Sequence, residues 1–198
     1  MNKPAVRFCP VAPLIFHIEI FNSLTSQILN IMKILILLLF FIPNLGFAAS
    51  MNHIGEKGKS SEIDRVIEIK MYDSYFEPTK INIKKDETIK FLVHNYGSLV
   101  HEFNIATKKM HLNHQPEMMA MMENEILLGD KIDYEKMKEM AKTDHSMAHS
   151  HSNSVLLEPN KSGEIIWKFN SEMKLEAACN VPGHYESGMI AEININYN

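Results

Sequence analysis

Near the C-terminus of this 198-residue chain, Cys179-Asn-Val-Pro-Gly-His184-Tyr-Glu-Ser-Gly-Met189 sets a thiolate, an imidazole and a thioether at even five-residue steps. To bring all three to one point, a strand must end near Cys179, the chain must turn through Pro182 and Gly183, and a second strand must restart at Met189. One Cys, two His and a weakly bound axial Met form the donor set of a type 1 blue-copper site. The fourth ligand must come from another part of the chain. His101, in Leu-Val-His101-Glu-Phe-Asn-Ile, heads an apolar strand and is the candidate.

Other readings of the motif fit less well. A structural zinc site repeats Cys or His to reach four N/S ligands and does not recruit Met. A catalytic Cys-His pair needs an exposed thiol and an orienting Asn or Asp, and no such signature surrounds Cys179. Met189 alone would read as core filling. Its place after Cys-x4-His, inside a β-rich segment, makes it a ligand candidate.

The rest of the chain reads as short strands. Residues 65–71, 80–84, 88–95, 101–106, 154–157, 164–169, 175–179 and 189–195 alternate or cluster apolar side chains, with turns at close intervals. Eight such strands predict an all-β protein, an antiparallel β-sandwich. Phe91, Phe103, Trp167 and Phe169 are assigned to its core. His94, on a strand with no partner motif, reads as a structural histidine.

Residues 107–153 interrupt that pattern and hold eight of the 14 Met and five of the ten His. Pro116 suits the first turn of a helix in which Met118, Met122 and Ile126 recur at four-residue spacing, with Met119 widening the stripe and Gly129-Asp130 ending it. A second helix is expected over 133–142. These Met either dock the helices on the sandwich or offer soft ligands. The tail Asp144-His145-Ser-Met147-Ala-His149-Ser-His151 reads as too polar to be buried. Either it is a solvated linker, or His145, Met147, His149 and His151 form an accessory copper site, since such groups suit both copper oxidation states.

Residues 32–48 carry the parts of a secretory signal: Met32-Lys33, an apolar run Ile34 to Ile42, the break at Pro43 and a small-residue cleavage site at Gly46-Phe47-Ala48. The run is far shorter than the roughly 20 residues of a membrane helix. Export is therefore expected, with no membrane span in the mature protein. Residues 1–31 fit no signal and are read as lying upstream of a start at Met32. Residues 49–63 read as a flexible lead-in, and 64–198 as one domain with insertion 107–153. Cys179 is then the only mature cysteine, a liability in an oxidising compartment unless a metal holds it. Of the 20 basic and 24 acidic residues, Lys3, Arg7, Lys33 and Glu19 precede residue 49, leaving a net charge of −6 with His neutral. That excludes nucleic acid as an expected partner.

His101-Glu102-Phe103, followed much later by Cys179-Asn180, Pro182-Gly183-His184-Tyr185 and Gly188-Met189, resembles the cupredoxins, most nearly the bacterial periplasmic plastocyanin/azurin-like proteins linked to copper tolerance. The resemblance implies a cupredoxin-like Greek-key β-sandwich with a partly helical Met/His-rich insertion. It also implies one type 1 copper on His101, Cys179, His184 and Met189. Similar proteins carry Met/His-rich segments at this place, which favours further copper in the insertion, with Met110, His111 and His114 flanking its other end as if to share it. The expected function is periplasmic copper binding that contributes to copper tolerance by binding, buffering or transferring copper. The alternative is a diffusible one-electron carrier for a respiratory or oxidase partner. Either way the partners are copper ions and a periplasmic redox or copper-transfer protein. An enzyme is not expected, because the only His-x-His, at His149 and His151, lies in a polar linker rather than on a strand.

Overall fold

The computed structural model describes residues 53–196. The upstream segment 1–31 and the signal 32–48 lie outside the described residues. The strands are β1 (Glu56–Lys57), β2 (Arg65–Tyr72), β3 (Tyr75–Glu77), β4 (Lys80–Lys84), β5 (Thr88–Asn95), β6 (His101–Ala106), β7 (Leu127–Leu128), β8 (Lys131–Ile132), β9 (Ser154–Leu157), β10 (Ser162–Lys168), β11 (Glu176–Ala178) and β12 (Ile190–Asn196). Two five-stranded sheets, β1-β10-β5-β2-β3 and β4-β12-β11-β6-β9, face each other as a sandwich, and β7-β8 form a separate hairpin.

Alternation decides which side chains fill the space between the sheets. In β2 Ile69 and Met71 are buried, in β4 Ile81 and Ile83, and in β10 Ile165 and Trp167. Phe103 lies at the centre, edge-on to Phe76 at 5.6 Å and tilted against Phe91 at 5.4 Å. Such pairs add about 0.5–1.5 kcal/mol each beyond the area they bury.

Three features depart from the sequence expectation. The pairing is not wholly antiparallel, because β2 runs parallel to β5 and β12 parallel to β4. The lead-in is not free: β1 pairs with β10, and Ile54 is buried with its carbonyl accepting from Trp167 Nε1 at 3.2 Å. A short apolar anchor suffices there, which composition alone hides. The first helix, α1 (Lys108–Glu123), starts eight residues before Pro116, because the Thr107 side chain caps it by accepting from the Met110 N–H. Pro116 therefore sits inside the helix. Met118 and Met121 face the core, whereas Met119 and Met122 are exposed. The second helix, α2 (Tyr134–Met140), is capped by Asp133.

The insertion explains why all six residues of β6 are buried. His101, Phe103 and Ile105 share the face toward the sandwich interior, while Glu102, Asn104 and Ala106 point the other way. That outer face would be wet in a bare sandwich. Here it meets His114 of α1 and residues 149–154.

Candidate metal centre

His101, Cys179 and His184 gather at one end of the sandwich. The Cys179 Sγ lies 3.4 Å from His184 Nδ1 and 3.8 Å from His101 Nδ1, and the two Nδ1 atoms are 3.2 Å apart. His101 and Cys179 are fully buried, and His184 is half-buried at the rim.

Each side chain has a local reason for its position. Gly183 at φ +86° and Gly188 at φ +91° take left-handed turns that side-chained residues resist. Between them the ligand loop is stitched to itself: Met189 N donates to His184 O at 3.0 Å, Gly188 N to Tyr185 O at 3.0 Å and His184 N to Val181 O at 2.9 Å. Cys179 N donates to Met189 O at 3.1 Å, so the buried Met189, immediately before β12, lies directly across from the cysteine. His101 is oriented from outside the loop. Its Nε2 lies 3.0 Å from Asp73 Oδ1 in the turn between β2 and β3. The Asp73 carboxyl is partly desolvated, yet hydrogen bonds from Ser98, His101 and Leu99 pull it down to about 2. An ionised carboxylate only accepts, so Nε2 carries the ring proton and Nδ1 turns its lone pair toward the sulphur and His184. Gly97 makes this close approach possible, since a Cβ there would sit 2.7 Å from His101 Nε2.

The electrostatics match a metal-ligand set. Burial lowers the pKa of both His101 and His184, against the pull of Asp73, so both rings are neutral near pH 7. Burial also pushes the Cys179 thiol up to about 12, although the Glu102 N–H at 3.3 Å and the Val181 N–H both point at the sulphur. The proton must leave for a metal to bind. Two imidazole nitrogens and a sulphur facing one another with free lone pairs are soft-to-borderline donors that fit copper.

Burial of the thiol carries its own test. At pH 8 iodoacetamide is expected to label Cys179 about a thousandfold more slowly in the native metal-free protein than in the unfolded chain. Peptide masses with and without denaturant measure this, and comparable rates would mean that the sulphur is open to solvent.

The accessory residues are arranged differently from the expectation. His145 is exposed and apart. Met147 is buried in the core, because Asp144 caps the 3-10 turn His145–Ala148 and rolls Met147 inward. His149 and His151 instead meet His114 and Glu117 of α1. The tail is thus not too polar to be buried: the His149 side chain is 4% exposed. His114, expected to flank the other end of the insertion and share it with the tail, does meet His149 and His151; Glu117 carried no signal in the sequence. Asp73 and Glu102 were also missed as site residues. A lone Asp in a turn gives no signal, and Glu102 stood out only as part of a motif.

A family model described as a cupredoxin-like domain matches residues 35–130, ending short of the ligand loop. The chain is 37% identical over 155 residues to the copper-resistant cuproprotein CopI of Pseudomonas aeruginosa, covering 71% of this chain and 81% of that protein. It is 30% identical over 151 residues to CopI of Vibrio cholerae serotype O1, covering 73% of each. Among solved structures, auracyanin B superposes with a TM-score of 0.50 at 12% identity, over 72% of this chain and 96% of that one. At that identity the likeness bears on the fold alone.

Proposed function

This chain belongs to the cupredoxin-like copper-resistant cuproproteins, and on that premise we propose that it binds one type 1 copper and contributes to copper tolerance in the periplasm by binding, buffering or transferring the ion. The observation that carries the reading is the convergence of His101 Nδ1, His184 Nδ1 and Cys179 Sγ, with the His101 tautomer set by Asp73. Cys179 would supply the thiolate, His101 and His184 the imidazoles, and Met189 the axial sulphur. Copper held there supplies reversible one-electron chemistry and a tightly retained ion.

The protein's own residues do the rest. The Glu102 and Val181 N–H groups support negative charge on the sulphur once its proton has left. The buried walls exclude water, which limits loss of the ion. His184, half-buried, is where an ion or an electron would pass. The electron-carrier alternative rests on that same rim. Export rests on residues 32–48; among the described residues no helix is long and apolar enough to cross a membrane. A binding role rather than catalysis is inferred.

Growth in copper-rich medium tests the proposal. A host lacking this protein is expected to regain tolerance with the wild-type chain and not with His184→Ala. Equal rescue by both would remove the buried site from the tolerance function and favour the carrier reading.

A further inference from the structure

His111 of α1 is fully buried, and its ring nitrogens meet β11 and the ligand loop rather than the group that His114 forms with His149 and His151. Nδ1 lies 3.2 Å from Asn180 Oδ1, and Nε2 lies 3.4 Å from the carbonyl oxygen of Glu176 in β11. The ring also lies against Tyr185, with centroids 5.6 Å apart and planes inclined by 31°. Tyr185 in turn donates from its hydroxyl to Glu176 Oε1 at 2.5 Å. Asn180 follows Cys179 and Tyr185 follows His184, so one side chain of the insertion touches the residue next to each of these two loop ligands.

The polarity of the contacts fixes who donates. Asn180 Nδ2 donates to Glu102 Oε2 at 2.7 Å, and a carboxylate can only accept, so the amide oxygen must face α1. Burial lowers the pKa of His111, so its ring is neutral near pH 7 and carries one proton. That proton sits on Nδ1, where the amide oxygen accepts it, and Nε2 keeps the longer contact with the Glu176 carbonyl. Gln115, one turn further along α1, donates from Nε2 to the same Asn180 oxygen at 3.3 Å. Asn180 is itself fully buried, so losing these donors strands its oxygen at the cost of an unmade bond. The peptide between Asn180 and Val181 carries the N–H that points at Cys179 Sγ. Where Asn180 is held, that N–H is held as well.

We propose that His111, with Gln115, is a positioning residue for the copper ligand loop: α1 clamps Asn180 from outside the sandwich, keeping the loop closed over the Cys179 sulphur and the Val181 N–H aimed at it. The insertion then serves the buried centre mechanically, whatever its tail binds. An N–H bonded to a thiolate draws negative charge from the sulphur and favours the reduced ion, so a slack loop lowers the reduction potential. The effect on copper rests on the type 1 reading; the closing of the loop over Cys179 does not.

Two substitutions separate the hydrogen bond from packing. His111→Phe keeps a ring against Tyr185 and removes the donor, whereas His111→Asn gives up the ring but places an amide N–H close to where Nδ1 stood. In the metal-free protein at pH 8, iodoacetamide is expected to label Cys179 about tenfold faster in His111→Phe than in wild type, and at close to the wild-type rate in His111→Asn. Gln115→Ala leaves the buried ring in place and is expected to raise the rate about threefold, which reads the same contact if His111→Phe does not fold. After loading with copper sulphate, a chelator is expected to strip His111→Phe about tenfold faster than wild type, and the remaining blue copper to show a lower reduction potential. Labelling that follows lost volume, fastest in His111→Asn, overturns the clamp, as do unchanged rates in both His111→Phe and Gln115→Ala. Faster labelling with an unchanged potential and chelator rate overturns its reach to the metal. A wild type that binds no blue copper while the labelling order holds would instead fail the type 1 reading and leave the clamp standing.

Discussion

Cys179→Ser is expected to erase the intense visible absorption of the copper-loaded protein, because that colour arises from charge donated by a thiolate in a trigonal site and a hydroxyl cannot replace it. Retention at the blue site should fall by more than the roughly 10–100-fold typical of losing an outer hydrogen-bond partner. Cys179 is buried and its sulphur accepts from two N–H groups, and the loop's own hydrogen bonds are backbone ones that the smaller oxygen leaves in place. Visible and circular dichroism spectra measured together separate loss of the centre from loss of the fold. A variant that stays blue would exclude Cys179 as the thiolate.

Glu102→Ala should produce the largest loss of stability. The carboxylate accepts from Asn180 Nδ2 at 2.7 Å, Asn180 N at 3.3 Å, Asn104 Nδ2 at 3.0 Å and Ser154 Oγ, besides its pairs with His114 and His149. Truncation leaves those donors buried without a partner, at a cost of about 3–5 kcal/mol in the metal-free protein, or roughly 10 °C in melting temperature for a domain of this size. A change below about 1 kcal/mol would mean that the carboxylate is not ionised in the fold. The pH dependence offers a second measurement. Burial acts to raise the Glu102 pKa, but the bonds from His114 and His149 prevail and hold it well below the usual 4.5. A depressed folded value means stability that is full above about 4.5 and lost as pH falls toward the folded value. Wild type should lose this share on acidification, and Glu102→Ala should lack it.

Much of this was legible because a loop ligand set is a local pattern. The steps from Cys179 to His184 to Met189 lie within one turn, so spacing alone suggests that they meet, and the structure brings Cys179 and His184 together with His101. Alternation placed Ile81, Ile83 and Trp167 inside for the same reason. What stayed hidden depends on distant contacts. Asp73 reaches His101 across 28 residues and His149 reaches Glu102 across 47, and no periodicity encodes either. Met147 looked polar by its neighbours, but a capped turn, not average composition, decides which way one side chain points. The helix start at Lys108 is not marked by spacing, because Pro116 suits a first turn equally well and only the packed structure shows that the Thr107 cap supplies the start.

The position of β12 also constrains how the molecule is completed. It lies between β4 and β11, parallel to the first and antiparallel to the second, with Glu192 opposite both Lys80 and Glu176. A chain that emerges N-terminus first therefore exposes β4 without a neighbour, and Cys179 without its loop, until the strand at residues 190–196 follows. Such long-range pairing is slow to form. Nascent or clipped molecules lacking that strand have an open sheet edge and an unshielded thiol, the features by which quality-control proteases and chaperones distinguish unfinished chains. Finished ones hide both at once.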